Sequence, residues 1–126
     1  MTLPLRILHL EDNRNDAELA QAALEADGLA CAVTRVDTRA DFLAAVERGG
    51  FDLILADYSL PGYDGLSALG HVREQRPEAP FILVSGMVGE EVAVDSLKHG
   101  ATDYVLKQRL SRLVPAVRRA LRETEE

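Results

Sequence analysis

A chain of 126 residues, 47% apolar and 28% charged, can bury a sizeable core and has the composition of one globular domain spanning residues 1–126. Its formal charge of −7 argues against direct nucleic-acid binding. No run approaches the roughly 20 apolar residues of a membrane span, and the start Met1-Thr2-Leu3-Pro4-Leu5-Arg6 lacks the basic-then-apolar pattern of a signal peptide. The single cysteine, Cys31, cannot form an internal disulfide, and its apolar neighbours make it a small core residue. The chain reads as cytoplasmic.

Leu5 to Leu10 reads as a first strand, ending in Glu11-Asp12-Asn13. From about Asp16 to Asp27 an Ala/Leu/Glu-rich segment reads as a helix. Ala17, Ala20 and Leu24 follow the spacing of a buried stripe, and Gly28 stops it. Ala30 to Val36 is a second strand. Thr38, with Asp41 three residues on, resembles a capping box for a second helix, whose buried face is Phe42, Leu43 and Val46. Gly49-Gly50 close it.

Leu53-Ile54-Leu55-Ala56-Asp57 is a short continuous apolar run that meets an aspartate, the pattern of a strand buried on both faces. Pro61-Gly62 and Asp64-Gly65 then turn the chain. A helix follows from about Gly65 to Gln75, with Leu66, Leu69 and Val72 inward. Phe81 to Val84 forms a fourth strand ending at Ser85, and a loop from Gly86 to Gly89 leads to a helix from about Glu90 to His99. Gly100 caps that helix, Asp103 to Leu106 is a fifth strand ending at Lys107, and a last helix spans roughly Arg112 to Arg122. Pro115 is tolerable only in its first turn. This (βα)₅ alternation predicts a doubly wound α/β fold, a five-stranded parallel sheet with helices on both faces.

Glu11, Asp12, Asp57, Ser85 and Lys107 all fall where strands end, on the rim where open α/β sheets place their chemistry. Three carboxylates on neighbouring strand ends repel one another. A hard divalent cation such as Mg²⁺ relieves that repulsion and is typically held by one or two carboxylates plus a phosphate oxygen. Lys107 adds a positive charge and Ser85 a hydroxyl donor. Such a set suits in-line attack by Asp57 on a phosphoryl group. His9, His71 and His99 show no spacing that suggests a metal site.

Four segments carry a resemblance: Leu8-His9-Leu10-Glu11-Asp12-Asn13, Leu55-Ala56-Asp57-Tyr58-Ser59-Leu60-Pro61-Gly62, Leu83-Val84-Ser85-Gly86, and Gly100-Ala101-Thr102-Asp103-Tyr104-Val105-Leu106-Lys107. In that order, each on its own strand end, they resemble the receiver domains of two-component response regulators, a CheY-like fold, over essentially the whole chain. The resemblance implies that Asp57 is the phosphoacceptor, and that Glu11, Asp12, Asp57 and the backbone carbonyl of Ser59 bind Mg²⁺. It implies that Ser85 and Lys107 contact the phosphoryl group, and that Tyr104 is an aromatic switch coupled to Ser85. The implied donor is a phosphohistidine on a sensor histidine kinase or phosphotransfer protein. The implied output is a changed affinity for a downstream protein or output domain, and the only chemistry catalysed is the domain's own phosphorylation and dephosphorylation.

Two departures from the family pattern stand out. Gln108 occupies the position after the lysine, where the family usually has proline, often with a cis bond. A cis bond before a non-proline residue costs about 3–4 kcal/mol, so a trans bond and a rearranged entry into the last helix are expected. Met87, two residues after Ser85, cannot orient an attacking water and Ser59 does so only weakly, which predicts a slowly hydrolysing acyl phosphate. No output domain is expected after Glu123-Thr124-Glu125-Glu126, so the domain acts alone or belongs to a larger hybrid kinase or regulator. Two other readings stay open. One is a degenerate receiver that binds partners without phosphorylation. The other is a small enzyme on the same topology, an aspartyl-phosphate phosphatase or a flavin carrier.

Overall fold

The computed structural model describes residues 3–86 and 89–125. Its sheet contains β1 (Leu5–Leu10), β2 (Cys31–Val36), β3 (Leu53–Ala56), β4 (Phe81–Ser85) and β5 (Asp103–Leu106). They lie in the order β2-β1-β3-β4-β5, and every neighbouring pair is parallel. The connections are α1 (Arg14–Ala26), α2 (Arg39–Arg48), α3 (Gly65–Gln75) and α4 (Glu90–Lys98), and α5 (Leu113–Glu125) follows the last strand. This is the doubly wound sheet that the strand–helix alternation predicts. Among the described residues no helix is long and apolar enough to cross a membrane.

Side chains alternate across the sheet, and the two sets meet different helices. Ile7, Leu53, Leu55, Ile82, Val84 and Val105 pack with Ala20 and Leu24 of α1 and Leu113, Ala116, Val117 and Ala120 of α5. Their strand neighbours Leu8, Leu10, Ile54, Ala56, Phe81 and Leu83 pack with Phe42, Ala45 and Val46 of α2 and Ala68, Leu69 and Val72 of α3. All four residues of β3 are buried, which explains its unbroken apolar run. Burying each large one contributes about 1.5–3 kcal/mol. Parity assigns His9 and Glu11 to the α1/α5 face, the face of Ile7.

Several boundaries differ from the expectation. α1 begins at Arg14, two residues early, because the Asn13 side chain accepts a hydrogen bond from the Asp16 N–H at 3.1 Å and caps the helix. Thr38 does cap α2, accepting from the Asp41 N–H at 3.1 Å. Leu43 and Leu66, expected inward, are only half-buried, and Ala45 and Ala68 take the buried positions. The chain enters α5 through a 3₁₀ turn over Lys107–Arg112, which Arg109 (φ −131°, ψ 52°) interrupts. Gln108 lies in that turn, and the peptide bonds of the described residues are all trans. The bond before Gln108 is thus trans, as the missing proline predicts. Pro115 sits in the first turn of α5. Met87 lies outside the described residues.

After Asp57 the chain forms a two-residue antiparallel ribbon, Ser59–Leu60 against Tyr63–Asp64. Pro61 and Gly62 turn it, with Gly62 at φ +75°, the arrangement of a type II turn. Gly65 then starts α3 in contact with the site-bearing strand. A Cβ there would lie 2.6 Å from the Asp57 carbonyl oxygen and 2.6 Å from Leu83 Cδ1. Gly65→Ala should therefore lower stability by about 1–3 kcal/mol through overpacking. Urea unfolding with an unchanged m-value and a lower midpoint would show it, and an unchanged midpoint would contradict the packing.

Candidate functional site

Parallel pairing brings the carboxyl ends of β1, β3, β4 and β5 to one rim. The Glu11 N–H donates to the Val36 carbonyl at 2.9 Å and the Asp57 N–H to the Leu10 carbonyl at 2.9 Å, so the sheet ladder extends to both acids. Glu11, Asp57 and Ser85 are buried, whereas Asp12 is exposed. Both oxygens of the Asp57 carboxylate are engaged. Ser85 Oγ donates to Oδ1 at 2.8 Å, and Lys107 Nζ donates to Oδ2 at 3.0 Å. The Ser85 hydroxyl also accepts a long bond, 3.4 Å, from the Tyr58 N–H.

Lys107 reaches across from β5 and meets three acids at once. Besides Asp57 it lies 2.7 Å from Glu11 Oε1 and 2.8 Å from Asp16 Oδ2. The Glu11 contact is an ion pair whose angle is poor for a hydrogen bond. Glu11 is further fixed by the Asn13 N–H, which donates to Oε2 at 3.1 Å, and its carbonyl accepts from Arg35 Nη1 at 3.0 Å.

The five strand-end residues singled out in the sequence converge, and one carboxylate oxygen from each of Glu11, Asp12 and Asp57 lies within 4.8 Å of the others. Three oxygen donors at that spacing, with one carboxylate wholly buried, fit a hard divalent cation such as Mg²⁺. Ser59 opens the ribbon directly beyond Asp57-Tyr58 and is exposed. Tyr104 is half-buried, pairs in register with Leu83 and packs on the α2/α3-side core.

Two participants were not anticipated. Asp16 reads in sequence as the start of a helix. The Asn13-x-x-Asp16 cap pattern would have moved that start and put Asp16 in the first turn, beside the strand ends. His9 is 2% exposed, and its Nε2 has no hydrogen-bond partner among the described residues. It lines a cavity of about 30 Å³ with Glu11, Asp16, Val84 and Lys107, room for one water.

Burial and charge pull these groups in different directions. Burial raises the Glu11 carboxyl to about 7, against the opposing pull of Lys107 and the Asn13 N–H. Burial lowers the His9 imidazole to about 4, helped by the nearby Lys107 charge. For Lys107 burial opposes the charge, yet its contacts with Asp16, Glu11 and Asp57 together outweigh it and hold the ammonium above its ordinary value.

Comparison with known proteins places the chain in a family. Residues 7–118 match the family described as "Response regulator receiver domain". The "Uncharacterized transcriptional regulatory protein YkoG" of Bacillus subtilis (strain 168) is 34% identical over 118 residues, 93% of this chain and 51% of that protein. The "DNA-binding transcriptional regulator NtrC" of Escherichia coli (strain K12) is 29% identical over 93% of this chain and 25% of its own length. The chain thus spans about half of one relative and a quarter of the other. Among solved structures, a CheY-like response regulator receiver domain protein from Methanospirillum hungatei JF-1 superposes with a TM-score of 0.83 at 30% identity, covering 98% of both chains. Fold, rim and matches define a signalling domain of the two-component class. The chain belongs to the response regulator receiver domain family.

The opposed shifts predict opposed pH dependences in the metal-free protein. Glu11 binds its proton more tightly folded (about 7) than free (4.5), so its contribution to stability is present at low pH and is lost as pH rises through that window. His9 binds its proton less tightly folded (about 4) than free (6.5), so its contribution is present above 6.5 and is lost as pH falls toward 4. Each slope approaches about 1.4 kcal/mol per pH unit. Against the parent, Glu11→Gln should lose more stability on acidification from pH 6.5 to 4.5, and His9→Gln should lose less. Denaturant unfolding at half-unit pH steps measures both, and parallel profiles would contradict the two shifts.

Proposed function

We propose that Asp57 accepts a phosphoryl group from a phosphohistidine on a sensor kinase or phosphotransfer protein, and that this changes which protein the domain binds. The observation that carries the reading is the clasp on Asp57, with Ser85 at one carboxylate oxygen and Lys107 at the other, beside the acidic pair Glu11 and Asp12. In the proposed step a carboxylate oxygen of Asp57 bonds to phosphorus as the phosphorus–nitrogen bond breaks. The electron pair leaves with the imidazole, which takes up a proton, and an acyl phosphate remains. Mg²⁺, held by Glu11, Asp12, Asp57 and the Ser59 carbonyl, would supply charge neutralisation for the transferring group.

The remaining work falls to the chain's own residues. Lys107 is poised to follow negative charge from the carboxylate to the phosphoryl oxygens, and the Ser85 hydroxyl to donate to one of them. If Ser85 moves toward that group, its contact with the Tyr58 N–H is given up, and Tyr104 on the neighbouring strand is placed to adjust its packing. We propose Tyr104 as the switch on that basis. The net charge of −7 supports output through protein contacts instead of direct nucleic-acid binding. The residue types at Ser59 and Met87, neither an acid nor an amide that would orient an attacking water, support slow hydrolysis of the acyl phosphate.

Incubation with acetyl phosphate and Mg²⁺ should add one phosphoryl mass to the wild type by intact mass spectrometry. The adduct should require Mg²⁺, persist after the donor is removed, and be absent from Asp57→Asn. No adduct under conditions that label an ordinary receiver would instead favour a module that binds partners without phosphorylation.

A further inference from the structure

We propose that Asp16 is the seat to which the Lys107 ammonium withdraws when a divalent cation takes Glu11 and Asp57, and that Asp16 thereby sets how tightly the site holds that cation. The inference rests on the metal reading above and concerns a residue outside the metal-facing trio. Two of the three acids that hold Lys107, Glu11 and Asp57, are also members of the cluster whose oxygens lie within 4.8 Å of one another. A cation entering there competes with the ammonium for the same two carboxylates, since Nζ lies 2.7 Å from Glu11 Oε1 and 3.0 Å from Asp57 Oδ2. Two positive centres sharing those carboxylates repel, and the mobile one must yield.

Asp16 is the partner that the cation does not need. It stands on α1, 91 residues from Lys107 in sequence, and already accepts from Nζ at 2.8 Å. The Lys107 side chain is 20% exposed and that of Asp16 32%, so the pair is shielded enough to matter but open enough to rearrange. The Asn13 cap fixes the first turn of α1 through backbone Asp16 N–H, independently of the Asp16 carboxylate. Without that carboxylate the ammonium has, among the described residues, only Glu11 and Asp57 to rest on, the same groups the cation requires. The acid is therefore a positioning residue that acts through Lys107.

Asp16→Asn keeps the shape and the helix cap while removing the seat. Mg²⁺ affinity, measured by calorimetry on the unphosphorylated protein at 0.15 M salt, should weaken about fivefold, within the usual range of coupling between two sites. Asp27→Asn, which removes the same charge from the far end of α1, should leave it unchanged. The second readout is the Lys107 ammonium, followed by proton–nitrogen NMR. In Mg²⁺-bound wild type its signal should stay in slow exchange with water, held by Asp16, and in Mg²⁺-bound Asp16→Asn it should broaden into fast exchange. Unchanged Mg²⁺ affinity in Asp16→Asn overturns the proposal. So does a weakened affinity with identical Lys107 signals in the two bound proteins, since the effect would then be one of net charge alone. Failure of the wild type to bind Mg²⁺ at all would instead count against the metal reading on which the proposal rests.

Discussion

The Lys107 ammonium is the charge on which the rest of the rim depends. It has three protons and meets three carboxylates, those of Glu11, Asp16 and Asp57, each within 3.0 Å. Bare carboxylates gathered on strand ends repel one another, and a buried one such as Glu11 also loses its hydration. One lysine placed among them turns that repulsion into attraction, and breaking such a partly buried set by removing one member leaves the others uncompensated. The core beneath supplies the stability that the rim does not. Apolar layers on both faces of β1, β3 and β4 hold the acids at their strand ends whatever their charge state.

The placement of the partners gives that lysine its reach. Glu11 ends β1 and Asp57 follows β3, two strands paired with each other at the interior of the sheet, whereas Lys107 follows β5 at the edge. The side chain therefore spans β4 to reach them, and ties the edge strand and the 3₁₀ turn beyond it to the centre and to α1. Ser85, on the strand in between, reaches the same carboxylate from its other oxygen. Asp57 is thus linked through Ser85 to the Tyr58 backbone and through Lys107 to the entry to α5.

What could be read in advance follows from how far apart the determinants lie. The strands were legible because short apolar runs stop at polar residues, and the rim followed from noticing that Glu11, Asp57, Ser85 and Lys107 occupy those stops. The capped start of α2 was legible because Thr38 and Asp41 are local to each other. Asp16 was not, because its role depends on a partner 91 residues away and on a helix start that Asn13 sets two residues earlier than the apolar stripe implies. The Ser59–Leu60/Tyr63–Asp64 ribbon was missed because two residues per strand carry no period. His9 has an imidazole buried with Nε2 unpartnered among the described residues, and no spacing rule finds a lone histidine that packs under a site.

That histidine and Glu11 show how one strand can serve two purposes. Both fall on the α1/α5 face of β1, where neighbouring positions such as Ile7 are wholly apolar. A hydrocarbon at either position would pack as well, and burial penalises the charged form of both. The two penalties act in overlapping pH windows, 6.5 down to about 4 for His9 and 4.5 up to about 7 for Glu11, with opposite signs. His9 stays neutral above its depressed value, so at neutral pH it adds no positive charge beside Lys107. Glu11 stays partly protonated below its raised value, and a cation that binds it must favour the charged form. At neutral pH the positive charge held against Asp57 is therefore that of Lys107, to which the neutral His9 adds nothing.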